Sequence, residues 1–184
     1  SRRQRQMCIR DRCGFRRTED SSATFERLSA HMREHADGEV TEAAAEVRRL
    51  HLLLAEADLA GAFEALLTPG SVFRRGGTAE VVSVIEALPD LEALEPELAT
   101  ALQISRVHPD DPGVLVALLL NRVDLVPGQA IHLPAGNVHA YLHGLGVEVM
   151  ASSDNVLRGG LTAKHVDVPE LEKVVAFEPL PVPY

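Results

Sequence analysis

The segment from Gly128 to Val168 constrains the fold of this chain more than any other part of the sequence. A short apolar run in it ends at Pro134, and Gly136 and His139 follow after one and two intervening residues. Pro134 ends a strand because its ring removes a backbone donor, and Gly136 permits a tight reversal of the chain. The spacing therefore predicts a turn that returns the chain into a β-barrel, with His139 and Tyr141 on the interior face of the next strand.

The spacing from Gly128 through Pro134 and Gly136 to His139 is similar to the second conserved motif of cupin barrels. That motif often ends in Asn four residues after the histidine, where this chain has His143. A single inward histidine is either a metal ligand or a hydrogen-bonded core residue, and the spacing alone leaves both open. The usual first cupin motif, a His-x-His pair with a Glu, is absent from the sequence, whereas a catalytic zinc takes about three protein ligands.

The residues from about Glu19 to Ile104 predict helices. Apolar side chains recur there at spacings of three and four, which makes one buried stripe per helix. After Gly113 the composition becomes rich in valine and leucine, which favours strands. We expect a helical domain over 13–110 and a β-barrel portion over 111–184. The predicted strands are 113–126 and 129–133, joined as a hairpin at Pro127-Gly128, followed by 140–142 and 147–151.

The amino-terminal head, Ser1 to Arg12, differs in composition from the rest of the chain. Seven arginines fall within the first 17 residues, and the head has no helical or strand period. It is either a basic arm for phosphate or membrane, or an extraneous or disordered terminus, and we favour the second interpretation. The only cysteines, Cys8 and Cys13, make no disulfide framework, which favours a reducing, cytoplasmic setting.

Charge and hydropathy narrow the possible partners. The net charge of −9 argues against a nucleic-acid-binding protein. No stretch of 18 apolar residues occurs, so we expect no membrane span.

Three runs of residues together resemble type I mannose-6-phosphate isomerase, a member of the cupin superfamily. They are the HAYL run that begins at His139, the run from Gly146 to Ala151, and SDNVLRGGLTAK from Ser153 to Lys164. The resemblance extends over roughly residues 112–175. The segment Cys13-Gly14-Phe15-Arg16 is a weaker match to the start of that family's helical region.

The resemblance implies an α+β fold, with a helical domain followed by an incomplete cupin-type β-barrel or jelly roll. It also implies a zinc-dependent enzyme that interconverts mannose 6-phosphate and fructose 6-phosphate through a cis-enediol, in the supply of GDP-mannose. By resemblance His139 is a zinc ligand and Arg158 is the active-site arginine. Four further residues are expected to bind or support the substrate: Lys164 as a phosphate contact, and Tyr141, Glu148 and Asp154.

The family's other zinc ligands, a Gln-x-His pair and a Glu upstream of the CGFR segment, have no counterpart in this sequence. We therefore expect an internal fragment of a longer, monomeric, cytoplasmic enzyme whose partner is a hexose 6-phosphate. The identity of the proton-transferring base stays open, because Glu148 is either that base or a partner of the metal-binding histidine. Two alternatives are a non-catalytic cupin-like sugar-binding module and an inactive truncated copy.

Overall fold

The computed structural model describes residues 9–35, 40–91, 95–150, 157–162, 164 and 166–181. These residues form seven α-helices, two short 3₁₀ turns and one three-stranded sheet. The helices are α1 Thr18–His35, α2 Glu42–Ala55, α3 Leu59–Leu67, α4 Gly77–Glu86, α5 Pro96–Ser105, α6 Gly113–Val116 and α7 Val168–Val174. The 3₁₀ turns are Val72–Arg74 and Ala117–Leu119, and the strands are β1 Ile9–Phe15, β2 Leu120–Leu125 and β3 His139–His143.

Helices α1 to α5 confirm the predicted helical region. Helix α2 shows why these residues are helical: the hydroxyl of Thr41 accepts a hydrogen bond from the backbone N–H of Ala44 at 3.0 Å and caps the first turn. The stripe on the same helix is buried against α1 and α4, and its members are Ala43, Val47, Leu50 and Leu54. None of the described helices combines the length and the apolar character needed to cross a membrane.

The sheet is antiparallel with the order β2-β1-β3, so the strand that comes first in the sequence lies in the centre. This arrangement corrects the predicted hairpin, because β2 pairs with β1 and residues 129–133 form no strand. Residues 113–119 form α6 and a 3₁₀ turn instead of the start of a strand. Every one of these seven residues is buried, and a fully buried apolar run has no periodicity that separates helix from strand. Residues 147–150 are likewise not in a strand, and residue 151 lies outside the described residues.

Three phenylalanines hold the sheet against the helices. The ring of Phe15 at the end of β1 lies 5.9 Å from that of Phe63 on α3 and 5.8 Å from that of Phe177 after α7. Phe63 and Phe177 are 5.5 Å apart, centroid to centroid. Such edge and offset contacts stabilise aromatic pairs beyond the area that they bury. The cluster therefore joins the sheet, the helical region and the carboxyl-terminal segment in one core.

The expected extraneous head is corrected for residues 9–12, which form the first half of β1, while residues 1–8 lie outside the described residues. A strand that lies between β2 and β3 pairs its backbone N–H and C=O groups on both sides, and this pairing does not depend on its side chains. The central position of this strand buries Arg12 fully, and burial of a charged side chain is unfavourable. Its guanidinium pairs with Glu97 and donates to the carbonyl oxygen of Leu120 at 3.0 Å, but its Nε and Nη2 have no partner among the described residues. Because β1 pairs with β2 and β3, one sheet draws on both sides of the predicted boundary at residue 110.

Candidate functional site

Strand β3 carries three side chains of the predicted site region on one face. His139, Tyr141 and His143 are exposed and alternate with the half-buried Ala140 and Leu142. This alternation confirms the predicted period of two. The predicted interior position is wrong, because His139 and His143 are exposed and Tyr141 is 61% exposed.

The turn before β3 reverses the chain at Gly136, as predicted. Gly136 has φ of 83°, and a Cβ atom at this position would lie 2.8 Å from the carbonyl oxygen of Val174. The side-chain amide of Asn137 donates to the carbonyl oxygen of Pro134 at 3.0 Å, and the N–H of Ala176 donates to that of Gly136 at 3.0 Å. Only glycine combines this conformation with so close an approach, so the turn fixes where β3 begins.

The imidazole of His139 has a defined partner on each nitrogen. Its Nδ1 lies 3.2 Å from the carbonyl oxygen of Asn137, and its Nε2 lies 3.8 Å from Oε1 of Glu148. A hydrogen on Nδ1 that points to the carbonyl oxygen leaves the lone pair on Nε2, on the side where Glu148 lies. The side chain is 38% exposed, so this nitrogen is accessible.

Tyr141 and Glu148 complete the cluster. The rings of His139 and Tyr141 lie edge to face, 5.7 Å apart at 62°. Desolvation of the phenol oxygen, a hydrogen bond to Glu148 and the charge of that carboxylate raise the pKa of Tyr141 to about 12. The phenol is therefore neutral at physiological pH and donates its hydrogen to Glu148. Of the predicted site residues, the structure brings these three together: His139, Tyr141 and Glu148.

Two residues of β1 pair with this cluster across the sheet, and neither was predicted to have a role in the site. Asp11 pairs in register with Tyr141, and Cys13 pairs with His139. Asp11 is only 5% exposed, and within the part of the chain that the structure describes its Oδ1 has no hydrogen-bond partner. Burial raises the pKa of Asp11, against a hydrogen bond from the backbone of Leu142 and the nearby imidazole of His139, which lower it. The CGFR segment could have located these residues. It lies at the end of β1, and a strand that ends there includes residue 11.

Arg158 and Lys164 lie on the surface of a segment that passes beside the start of β3. A Cβ atom on Gly159 would lie 3.6 Å from Val138, the residue before His139. Arg158 precedes this contact by one residue, whereas Lys164 lies further along the same segment. Asp154 falls in 151–156, outside the described residues.

The two glycines after Arg158 face protein. A Cβ atom on Gly160 would lie 2.9 Å from Cα of Gly113. One on Gly159 would touch Val138 and Leu171. Their close approach docks this segment on the helical part of the molecule.

Comparison by sequence and comparison by structure find the same kind of protein. The sequence is 50% identical over 100 residues to the mannose-6-phosphate isomerase of Salmonella typhimurium, which covers 54% of this chain and 25% of that protein. The Escherichia coli protein of the same name is 47% identical over 100 residues, with the same two shares. A solved mannose 6-phosphate isomerase from Salmonella typhimurium, bound to its substrate and to zinc, superposes with a TM-score of 0.74 at 33% identity. This superposition covers 95% of the chain and 40% of the solved one.

This chain is homologous to mannose-6-phosphate isomerase. The predicted resemblance is thereby confirmed, and so is the α+β fold with an incomplete cupin-type sheet. The chain spans about a quarter of the length of the curated relatives in sequence and about two fifths of the solved chains in structure. No family model matches the sequence.

The homology to a zinc-bound isomerase raises the question of whether these residues suit zinc. Among the described residues, no group of three or more His, Cys, Asp or Glu side chains gathers as a metal site. His139 nevertheless offers an accessible imidazole nitrogen, with the oxygen of a carboxylate close to it. Zinc takes both nitrogen and oxygen ligands of these kinds, so the cluster fits as one part of a zinc site.

Proposed function

We propose that this chain is part of a zinc-dependent aldose–ketose isomerase that interconverts mannose 6-phosphate and fructose 6-phosphate. The observation that carries the proposal is the cluster on β3, where His139 presents an accessible Nε2 beside Glu148. The homology to mannose-6-phosphate isomerases supports the substrate class. Isomerisation moves a proton between C1 and C2 of the sugar through a cis-enediol, so the site needs a base and positive charge near the sugar oxygens.

His139 would hold the zinc ion through Nε2, with the tautomer fixed by the contact between Nδ1 and the carbonyl oxygen of Asn137. When bound, zinc supplies Lewis acidity toward a sugar oxygen. The orientation of the imidazole matters, because a ligand that rotates freely loses affinity for its metal.

Glu148 is the group of the cluster that can accept a proton. Its carboxylate contacts both the imidazole of His139 and the phenol of Tyr141. Tyr141 stays protonated, since its pKa is about 12, and so it acts as a donor to Glu148 or to a substrate oxygen. Glu148 serves either as the base or as the carboxylate that orients His139, and both roles need it where the structure places it.

Arg158 and Lys164 supply positive charge. The guanidinium of Arg158 is permanently cationic and can hold phosphate or enediolate oxygens with two parallel hydrogen bonds. Lys164 is a second cation on the same exposed segment and is assigned to the phosphate. Asp154 is assigned to the support of the substrate from the sequence resemblance alone.

We assign the parent protein to the cytoplasm as a monomer, with a hexose 6-phosphate as partner and without nucleic acid or membrane. The acidic net charge of −9 supports the exclusion of nucleic acid. The free, buried thiol of Cys13 suits a reducing compartment. Such an enzyme feeds the supply of GDP-mannose.

A second candidate function is a non-catalytic cupin-like sugar-binding module. It is favoured by one observation, that the described residues gather no three-ligand metal cluster. Binding of mannose 6-phosphate that is unchanged by a chelator, without any turnover, would support this candidate. An inactive truncated copy would instead show neither binding nor turnover.

Replacing Arg158 tests the proposed function directly. We expect Arg158→Ala to lower kcat by about 10²–10³, because it removes a fixed donor from developing negative charge. The assay couples the formation of fructose 6-phosphate from mannose 6-phosphate to a dehydrogenase, in the longest gene product that carries this sequence. The matched control is Arg106→Ala, which removes an exposed arginine at the end of α5. Full activity in the Arg158→Ala protein would refute the role assigned to this residue.

A further inference from the structure

One carboxylate bridges the helical part of the molecule and the segment that carries the two cations. Oδ1 of Asp111 accepts a hydrogen bond from the N–H of Gly113 at 2.7 Å. Its Oδ2 accepts one from the N–H of Thr162 at 3.3 Å, across 51 residues of chain. The first contact closes a local turn just before α6, and this turn does not require the second contact.

The bridged backbones lie unusually close together. A Cβ atom on Gly113 would lie 2.8 Å from the backbone nitrogen of Leu161, and one on Gly160 would lie 2.9 Å from Cα of Gly113. Both residues of the docked segment have left-handed backbones, with φ of 129° at Gly160 and 53° at Leu161. Leucine rarely adopts this conformation, and such a residue persists only where the surrounding contacts hold it.

We propose that Asp111 is a positioning residue for Arg158 and Lys164, an inference that rests on the proposed function. Arg158 lies two residues before Gly160 on the held segment. On the other side, the hydroxyl of Thr162 accepts a hydrogen bond from the N–H of Lys164 at 3.1 Å. A continuous chain of hydrogen bonds thus runs from Asp111 through Thr162 to Lys164.

The physical consequence concerns the geometry of the charges. Arg158 and Lys164 are both exposed, so the packing of their own side chains does not fix where they stand. The backbone of residues 160–162 is held by the carboxylate of Asp111 and by the contact between Gly113 and Gly160. A displacement of about 1 Å in a group that holds substrate can cost on the order of 10²-fold in rate. Asp111 acts through that backbone and touches no substrate itself.

The test compares Asp111→Asn with Asp110→Asn. Each variant removes one negative charge and keeps the shape of the side chain. An amide has a single accepting oxygen, so Asp111→Asn loses one of the two bridging hydrogen bonds. Asp110 accepts a hydrogen bond from the N–H of Ala79 at 3.3 Å, in the helical part of the molecule, and Asn also tolerates its φ of 58°.

Limited trypsin digestion gives a readout that needs no activity. We expect cleavage after Arg158 and Lys164 to become about tenfold faster in the Asp111→Asn protein, since a hydrogen bond to a charged group contributes roughly that factor or more. Cleavage after Arg106 reports on opening of the helical part and should stay unchanged. The Asp110→Asn protein should match the unmodified protein at Arg158 and Lys164. Equal rates in all three proteins, or a parallel increase at every site, would overturn the proposal.

Kinetics separate positioning from a general structural role. In an active parent protein, Asp111→Asn should lower kcat/KM about tenfold. In a background that already carries Arg158→Ala and Lys164→Ala, it should cause no further loss. A merely structural effect would lower activity by the same factor in both backgrounds, which would contradict positioning. If the parent protein is inactive but cleavage is still faster in the Asp111→Asn protein, the proposed function is refuted. The conclusion that Asp111 holds the segment would then still stand.

Discussion

At Asp11 the sheet buries a carboxylate with little to compensate it. The residue is 5% exposed, one oxygen has no partner in the described ranges, and its neighbours on that face include the apolar Cys13 and Val123. A buried carboxylate without full hydrogen bonding favours its neutral form, and burial accordingly raises its pKa above the ordinary value of 3.8. Between 3.8 and the raised value, the folded state binds more protons than the unfolded state. Stability therefore falls as the pH rises through this window.

We expect Asp11→Val to raise the free energy of unfolding by about 1–3 kcal/mol at neutral pH, since it removes a buried carboxylate with one oxygen unpaired among the described residues and suits a strand. The gain should shrink as the pH falls below 3.8, where the carboxyl is neutral in both states. Denaturant unfolding at several pH values measures both effects. The control Asp11→Asn keeps the shape and removes only the charge. A gain that did not depend on pH would contradict this account.

The thiol of Cys13 is predicted to be unreactive in the folded protein. It is buried, and desolvation together with the charge of Asp11 raises its pKa to about 11. At pH 8 only about one thiol in a thousand is then a thiolate, the form that reacts. We expect alkylation to be at least about 100-fold slower in the native protein than in the denatured one, measured by mass spectrometry in a Cys8→Ser background. Rapid native labelling would show that β1 is not paired as described.

At the scale of elements, the docking of the 157–162 segment depends on the contact between Gly160 and Gly113. We expect Gly160→Ala to lower the free energy of unfolding by about 2–4 kcal/mol, because it adds a steric clash at 2.9 Å to the strain of a φ of 129°. The control is Gly128→Ala, at a φ of 94° with no atom within 4 Å of the added Cβ, which incurs the backbone strain alone. Equal losses in the two variants would show that the segment does not dock on α6.

Local sequence signals predicted the elements that depend on local contacts. The helices α1 to α5 and the turn at Gly136 follow from periodicity, capping and glycine chemistry, which act within a few residues. The hairpin prediction failed because β2 pairs with β1, more than 100 residues earlier in the chain. No short-range pattern identifies a partner that far away. The same limit hid Asp111, whose contact with Thr162 spans 51 residues.

At the scale of the molecule, the candidate site is divided between segments that only the fold brings together. The resemblance in sequence named residues on β3 and on the segment after it, and the structure unites His139, Tyr141 and Glu148. It did not reveal that β1 lies across from them, because the arginine-rich composition of the head suggested a terminus outside the fold. The composition of a segment does not show which strands it pairs with. The central position of β1 depends on the backbone hydrogen bonds that β2 and β3 make with it.

The residues that follow β3 expose several apolar side chains to solvent. Leu145, Val147 and Val149 are 77%, 93% and 91% exposed, and β3 lies at an edge of the sheet. Exposed apolar side chains next to an open strand edge favour association with another surface. For this reason, the assays of function use the longest gene product that carries the sequence.

The most direct test of the account is the zinc dependence of isomerase turnover in His139→Ala, compared with His143→Ala, which removes an imidazole from the same face of the same strand. We predict turnover of mannose 6-phosphate that a chelator abolishes and zinc restores. His139→Ala should lose this turnover together with bound zinc, measured by metal analysis, while His143→Ala keeps both. Unchanged zinc content and turnover in the His139→Ala protein, or an unmodified protein whose turnover ignores the chelator, would contradict the central claim.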